Sequence, residues 1–126
     1  MRFADIQMLR YNLPGFEALS VSQKAYIYYL SEATLWGRDI TFDQFGKYNL
    51  LIRRTLETIY RSKLQGSKQA SGESESSTEA TALETYLKRV WFSNGIYHHY
   101  GCEKFVPEFS QEYFIKEVRS IDDSLL

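Results

Sequence analysis

The chain holds a single cysteine, Cys102, so no disulfide can close within it. It also lacks an excess of charge of either sign, with 15 Lys and Arg against 16 Asp and Glu. A general nucleic-acid binder shows a basic excess or stripe, because phosphate neutralisation supplies most of its affinity. The local cations Arg53, Arg54, Arg61 and Lys63 have Glu57 among them and read as a solvated helix face. No nucleic-acid partner is therefore expected. No apolar run approaches the ~20 residues needed to span a bilayer. No basic stretch followed by an apolar one opens the chain, as a signal peptide would require. The expectation is a cytoplasmic setting without a membrane partner.

Apolar and aromatic residues are plentiful. Hydrophobic residues make up 44% of the 126 and aromatics 16%, with ten Tyr and eight Phe. Each large ring buries upward of ~100 Å², enough for one small packed unit. A single helical subdomain over residues 1–126 is expected.

Residues from about Phe3 to Phe16 suggest one short helix that ends at the turn signal Pro14-Gly15. The first strong helix follows, with Ser20 as N-cap and Gln23 as its capping-box partner. Ala25, Tyr26, Tyr29, Leu30, Ala33 and Trp36 repeat at helical spacing, and Gly37 is expected to stop the helix in a left-handed conformation. Ile40 to Gly46 reads as a connector. Tyr48, Leu51, Ile52, Thr55, Leu56 and Ile59 then form the apolar stripe of a second helix, with Asn49, Arg53, Arg54, Glu57 and Arg61 on its other side. Residues 65–78 are rich in Ser and have no apolar periodicity, and are expected to form a flexible loop. A third helix starts near Thr78, buries Leu83, Tyr86, Leu87, Val90 and Trp91, and ends by Gly95. Ser110 caps a last short helix carrying Tyr113, Phe114, Val118 and Ile121. No strand pair with a tight turn is apparent. The fold class expected is all-α, with three main helices plus shorter ones. The tyrosines read mostly as core, yet the first helix is apolar nearly all round and needs cover on more than one side.

Chemistry-bearing side chains gather at Tyr97-His98-His99-Tyr100-Gly101-Cys102-Glu103. Adjacent histidines diverge on a helix or strand, whereas a catalytic zinc helix spaces its two histidines four apart around a Glu. A structural zinc site needs four ligands, and the rest of the chain has no other His or Cys. No metal and no catalytic residue is therefore assigned. A small metal-binding protein using His98, His99 and Cys102 is a weaker alternative that predicts stoichiometric zinc uptake. Proximity in sequence does not make Cys102 a Cys–His nucleophile. Gly66 and Gly72 lie in the Ser-rich stretch and do not form a phosphate loop.

The run Gly95-Ile96-Tyr97-His98-His99-Tyr100-Gly101-Cys102-Glu103-Lys104-Phe105-Val106-Pro107 resembles a stretch of the dipeptidyl peptidase III family. The family pattern there is Gly-x-Tyr-x-x-aromatic-Gly-x-x-Lys-Phe-Val-Pro. Ser93-Asn94 matches a Ser-Asn that precedes it, shifted by one position. Leu19-Ser20 through Tyr26, Tyr28, Leu30-Ser31, Ala33 and Gly37 is similar to the helix that opens the same family. Bacterial members look closest, notably in Tyr29-Leu30-Ser31-Glu32-Ala33 and in Leu87-Lys88-Arg89-Val90-Trp91-Phe92-Ser93-Asn94-Gly95. The resemblance spans about Leu19 to Val118.

Such enzymes are two-lobed zinc exopeptidases that release dipeptides from the N-termini of oligopeptides. Their zinc is held by a His-Glu-x-x-Gly-His helix and a Glu-Glu-x-x-x-Glu helix, and neither motif stands in this sequence. The resemblance thus implies a non-catalytic piece of the lower lobe, with zinc only in the parent enzyme and the rest of that enzyme as partner. It also implies that Tyr100 lines the peptide-binding cleft, with Gly101 and His99 beside it as substrate contacts. His98 and His99 replace other residues of the family. A core position for Tyr100 is the alternative. A rival reading of the whole chain is a free-standing helical module that binds a protein partner through its tyrosines. Weak self-association is expected of the uncovered apolar surface.

Overall fold

The computed structural model describes residues 2–69 and 78–121, and side chains are described except at 66–69. It is mostly helical, and its three long helices are accompanied by shorter ones, as expected for an all-α chain. Its contacts gather into two compact units, Met1–Thr41 and Phe42–Leu126.

The first unit opens on a small hairpin rather than the expected short helix. Strands β1 (Arg2–Phe3) and β2 (Ile6–Gln7) pair antiparallel, Arg2 opposite Gln7 and Phe3 opposite Ile6. The connecting pair is Ala4-Asp5, with Ala4 at φ 48°. This turn carries none of the Asn-Gly or Asp-Gly chemistry that signals a hairpin, which is why the sequence shows no strand pair. The Arg2 guanidinium ties the strands by donating to Gln7 Oε1 at 3.0 Å. A single 3-10 turn, Phe16–Ala18, leads into helix α1 (Val21–Trp36). The expected capping box is formed: Gln23 N donates to Ser20 Oγ at 3.3 Å, and Ser20 N donates to Gln23 Oε1 at 2.9 Å. Lys24 secures the approach by donating to Glu17 O at 3.0 Å, with its ammonium 5.6 Å from the Phe16 ring centroid.

None of the sixteen residues of α1 is buried. Tyr26, Tyr28 and Tyr29, expected mostly as core, are exposed, and Trp36 is 87% exposed. Gly37 does follow the helix, but at φ −79° and not in the left-handed region. The chain turns there directly into α2 (Arg38–Phe45), so the expected connector from Ile40 is itself helical. The boundary between the two units falls within α2.

The second unit contains the closed core. Phe42 from α2 joins Leu56 and Ile59 of α3 (Asn49–Gln69) and Leu83, Leu87 and Val90 of α4 (Thr78–Ser93), all essentially inaccessible. Helix α5 (Gln111–Arg119), capped by Ser110 as expected, adds Tyr113, Phe114 and Val118 at the margin. Tyr86 meets Phe109 edge-on at 5.6 Å, and burial pushes its phenol pKa up. Lys63 of α3 donates to Tyr113 Oη at 2.6 Å and to Glu117 Oε1 at 2.9 Å, linking α3 to α5.

Two expectations about α3 need correction. Its buried face is rotated from the expected stripe: Tyr48, beside its start, and Leu51 are exposed, while Asn49 and Arg53 are buried. Arg53 is not on a solvated face, because its guanidinium lies 4.7 Å from the Phe42 ring centroid and its Nε is 3.3 Å from Glu57 Oε1. The helix also continues through Gln69, into the stretch expected to be loop from residue 65. Adding residues to an established helix needs no new nucleus, and Ser, Lys and Gln are compatible with it. The rest of the expected loop, 70–77, lies outside the described residues.

Candidate functional site: an aromatic tip on a pinned arm

The C-terminus of α4 sets the site. Asn94 takes φ 55°, and Gly95 N donates to Val90 O at 3.1 Å, the six-residue closure of a Schellman ending. Asn tolerates the left-handed region better than most residues. Gly95 is then held against α3. A Cβ there would overlap Asn49 Nδ2 and lie 2.8 Å from Asn49 Cγ, so only glycine lets the chain pass. Asn49 is 2% exposed, and its Oδ1 accepts from Ile96 N at 3.4 Å. Its Nδ2 is buried and finds no hydrogen-bond partner among the described residues.

From this pinned point residues 96–105 run out and back as a narrow arm. Phe105 N donates to Ile96 O at 2.8 Å, Tyr97 pairs antiparallel with Lys104, and His98 N donates to Glu103 O at 2.9 Å. The tip is closed by Gly101 N donating to His98 O at 3.1 Å and by Tyr100 N donating to His98 Nδ1 at 3.2 Å.

Aromatic rings occupy the tip. The His98 and His99 imidazoles stack at 4.5 Å with 27° between their planes. Adjacent histidines were expected to diverge, but that holds for regular strands and helices, and these two sit in a tight reversal. The Tyr100 ring lies 4.3 Å from His99, Phe92 of α4 meets His99 edge-on at 4.8 Å, and Phe105 meets His98 at 6.0 Å. Beneath them Ser93, 3% exposed, places its Oγ 3.5 Å from His99 Nδ1. Tyr100 itself is 89% exposed and so is not a core aromatic.

The structure therefore brings His99, Tyr100 and Gly101 together in one tip. The supporting residues that sequence reasoning missed are His98 as an acceptor, Phe92, Ser93 and Asn49. Ser93 and Asn49 are polar residues at helix ends, and no local periodicity marks such residues as buried.

Chemically the tip offers ring faces and a free phenol for contact with a ligand's side chains. Among the described residues no group of three or more His, Cys, Asp or Glu could hold a metal. His98 Nδ1 is engaged by Tyr100 N, and His99 Nδ1 faces Ser93.

Compared with protein-family models and with curated proteins, the chain matches none. No helix among the described residues is long and apolar enough to cross a membrane.

Proposed function

We propose that this chain is a non-catalytic helical segment of a zinc-dependent exopeptidase of the dipeptidyl peptidase III kind, which releases N-terminal dipeptides from oligopeptides. In this reading it contributes to the lower wall of the substrate cleft, and His99, Tyr100 and Gly101 touch the peptide. The observation that carries the reading is the arm itself. A hydrogen-bonded reversal, fixed at its base by Asn49 and Gly95, projects a tyrosine that is almost fully exposed. Exposed aromatic rings on an ordered support suit contact with side chains without chemistry. The resemblance through Lys104-Phe105-Val106-Pro107 names the ligand class.

The apolar residues of α1 that face solvent support a second part of the proposal, that the remainder of a larger peptidase covers this helix. The same uncovered surface would account for weak self-association of the isolated chain.

The test uses the chain alone. With zinc and a dipeptidyl-arylamide substrate it should show no turnover, and robust turnover would refute the non-catalytic reading. A short peptide titrated into ¹⁵N-labelled chain should shift amides within residues 98–104. Saturable shifts confined to α1 instead would favour the free-standing interaction module. A coding frame that continues to a His-Glu-x-x-Gly-His motif would remove that rival.

A further inference from the structure

His98 is the residue on which the tip geometry converges. Its backbone N–H donates to Glu103 O, its carbonyl accepts from Gly101 N, and its ring Nδ1 accepts from Tyr100 N. The last of these bonds has a chemical condition. An imidazole nitrogen accepts only while it carries no proton, so the bond requires neutral His98 with its proton on Nε2. In the imidazolium both ring nitrogens are donors, and Tyr100 N–H would then face another N–H.

We propose that His98 is a proton-operated latch: the neutral ring holds the Tyr100 amide in the closed turn, and protonation breaks that bond, leaving the turn on its Gly101 N–His98 O bond alone and loosening the pose of the exposed tyrosine. The latch is a property of the tip whatever ligand Tyr100 meets.

Charged and titratable groups surround the latch from α4 and from the arm itself. His99 stacks on His98 at 4.5 Å, so a second imidazolium there would repel the first. From α4, Arg89 lies over Phe105, the ring that touches His98 edge-on, and Phe92 and Ser93 face His99. On the arm, Glu103 is the only carboxylate of residues 96–105, alongside Lys104 over Tyr97, Cys102 and the Tyr100 phenol. Glu103 leans toward Gly101: its Oε2 is 3.1 Å from where a Gly101 Cβ would sit.

The experiment is a pH titration of the ¹⁵N-labelled chain from about pH 8 to about pH 5, the range in which imidazole changes charge. At the upper end the His98 ring nitrogens should report the Nε2–H tautomer. The Tyr100 and Gly101 amides should then shift with the same midpoint as the His98 ring, while amides within α3 and α4 stay in place. In His98→Asn the side-chain Oδ1 can accept from Tyr100 N and does not titrate. The tip amides of that variant should lose the part of their pH dependence that follows the His98 midpoint, keeping only what the adjacent His99 imposes, and hold positions like those of the wild type at high pH. An Nδ1–H tautomer in neutral His98 would overturn the proposal, as would tip amides that ignore the His98 midpoint or that titrate identically in His98→Asn and the wild type. If His98→Asn perturbs the α3 and α4 amides, the wild-type tautomer and midpoints decide the question alone.

Discussion

Replacing Gly95 by Ala tests whether the base of the arm is a lock or a coincidence of packing. The new Cβ would lie 2.8 Å from Asn49 Cγ and closer still to Nδ2, and Asn49 is buried with no room to swing into solvent. Either Asn49 moves and gives up its bond to Ile96 N, or the arm lifts from α3. Losing the bond and leaving the amide buried costs about 1–3 kcal/mol. Gly95 also sits at φ 157°, at the edge of the region L residues avoid, which adds about 1 kcal/mol. Gly95→Ala should therefore destabilise the second unit by about 2–4 kcal/mol. Asn49→Ala alone should cost about 1–3 kcal/mol, since it strands Ile96 N. The double variant removes the collision, so its cost should fall below the sum of the two by at least about 1 kcal/mol. Urea unfolding followed by Trp91 fluorescence, in a Trp36→Phe background, reads the second unit. Additive costs would refute the lock and reduce Asn49 to an ordinary core residue.

Three further outcomes follow from the same structure. Leu87→Ala empties a fully buried position between α3 and α4 and should cost about 2–5 kcal/mol in the same urea assay; a loss below about 1 kcal/mol would mean the core is looser than described. At Lys63, burial pulls the pKa down, but hydrogen bonds to Tyr113 and Glu117 and the Glu117 charge outweigh it and leave the pKa raised. A raised lysine stabilises fully below its unfolded value of about 10.4 and loses that contribution as pH climbs through the folded value. Tyr86, raised by burial, also costs stability as pH climbs past about 10. Urea midpoints between about pH 9 and 11.5 should fall in the wild type, and both Lys63→Met and Tyr86→Phe should flatten the fall in part; an unchanged slope in Lys63→Met would deny the link between α3 and α5. Ser20→Ala removes a cap worth about 0.5–2 kcal/mol. Because α1 has no residue packed on a core, whereas Tyr113, Phe114 and Val118 of α5 pack against that of the second unit, its amides should lose far more exchange protection than those of α5 do in Ser110→Ala.

Which features could be seen in the sequence depends on how far apart the interacting residues lie. The capping box at Ser20 and Gln23, and the cap at Ser110, are three-residue relations, and they stand as expected. The stripe Leu83, Leu87, Val90 is carried by one helix and was equally visible, although Trp91, expected on the same face, is exposed. Helix α3 misled because Asn49 and Arg53 draw their burial from partners elsewhere, Ile96 and Gly95 in the arm and Phe42 in α2. A polar residue satisfied by a distant partner looks, in sequence, like a solvent-facing one. Helix α2 was missed because Phe42 is its only buried residue, too little to show a period. The tip repeats the lesson of α3: His98, His99 and Tyr100 were visible as residue types, but their stacking follows from the reversal that His98 and Glu103 close.

The two units hold themselves together by different means. The second has a sealed apolar core, an ending on α4 that satisfies its own carbonyls, and polar groups that tie α3 to both the arm and α5. Its stability is internal, and the arm inherits that rigidity through Asn49 and Gly95. The long helix of the first unit has its caps, the Lys24 contacts to Glu17 O and Phe16, and its intrinsic propensity, and a helix of sixteen residues is held only weakly by these. Yet its exposed side chains include Val21, Tyr26, Ile27, Tyr28, Tyr29 and Leu30, and burying one such side chain is worth about 1.5–3 kcal/mol. A surface that covered even a few of them would outweigh everything now holding the helix. The order of α1 should therefore track whatever covers it, while the tip of the arm should keep its geometry with or without that cover.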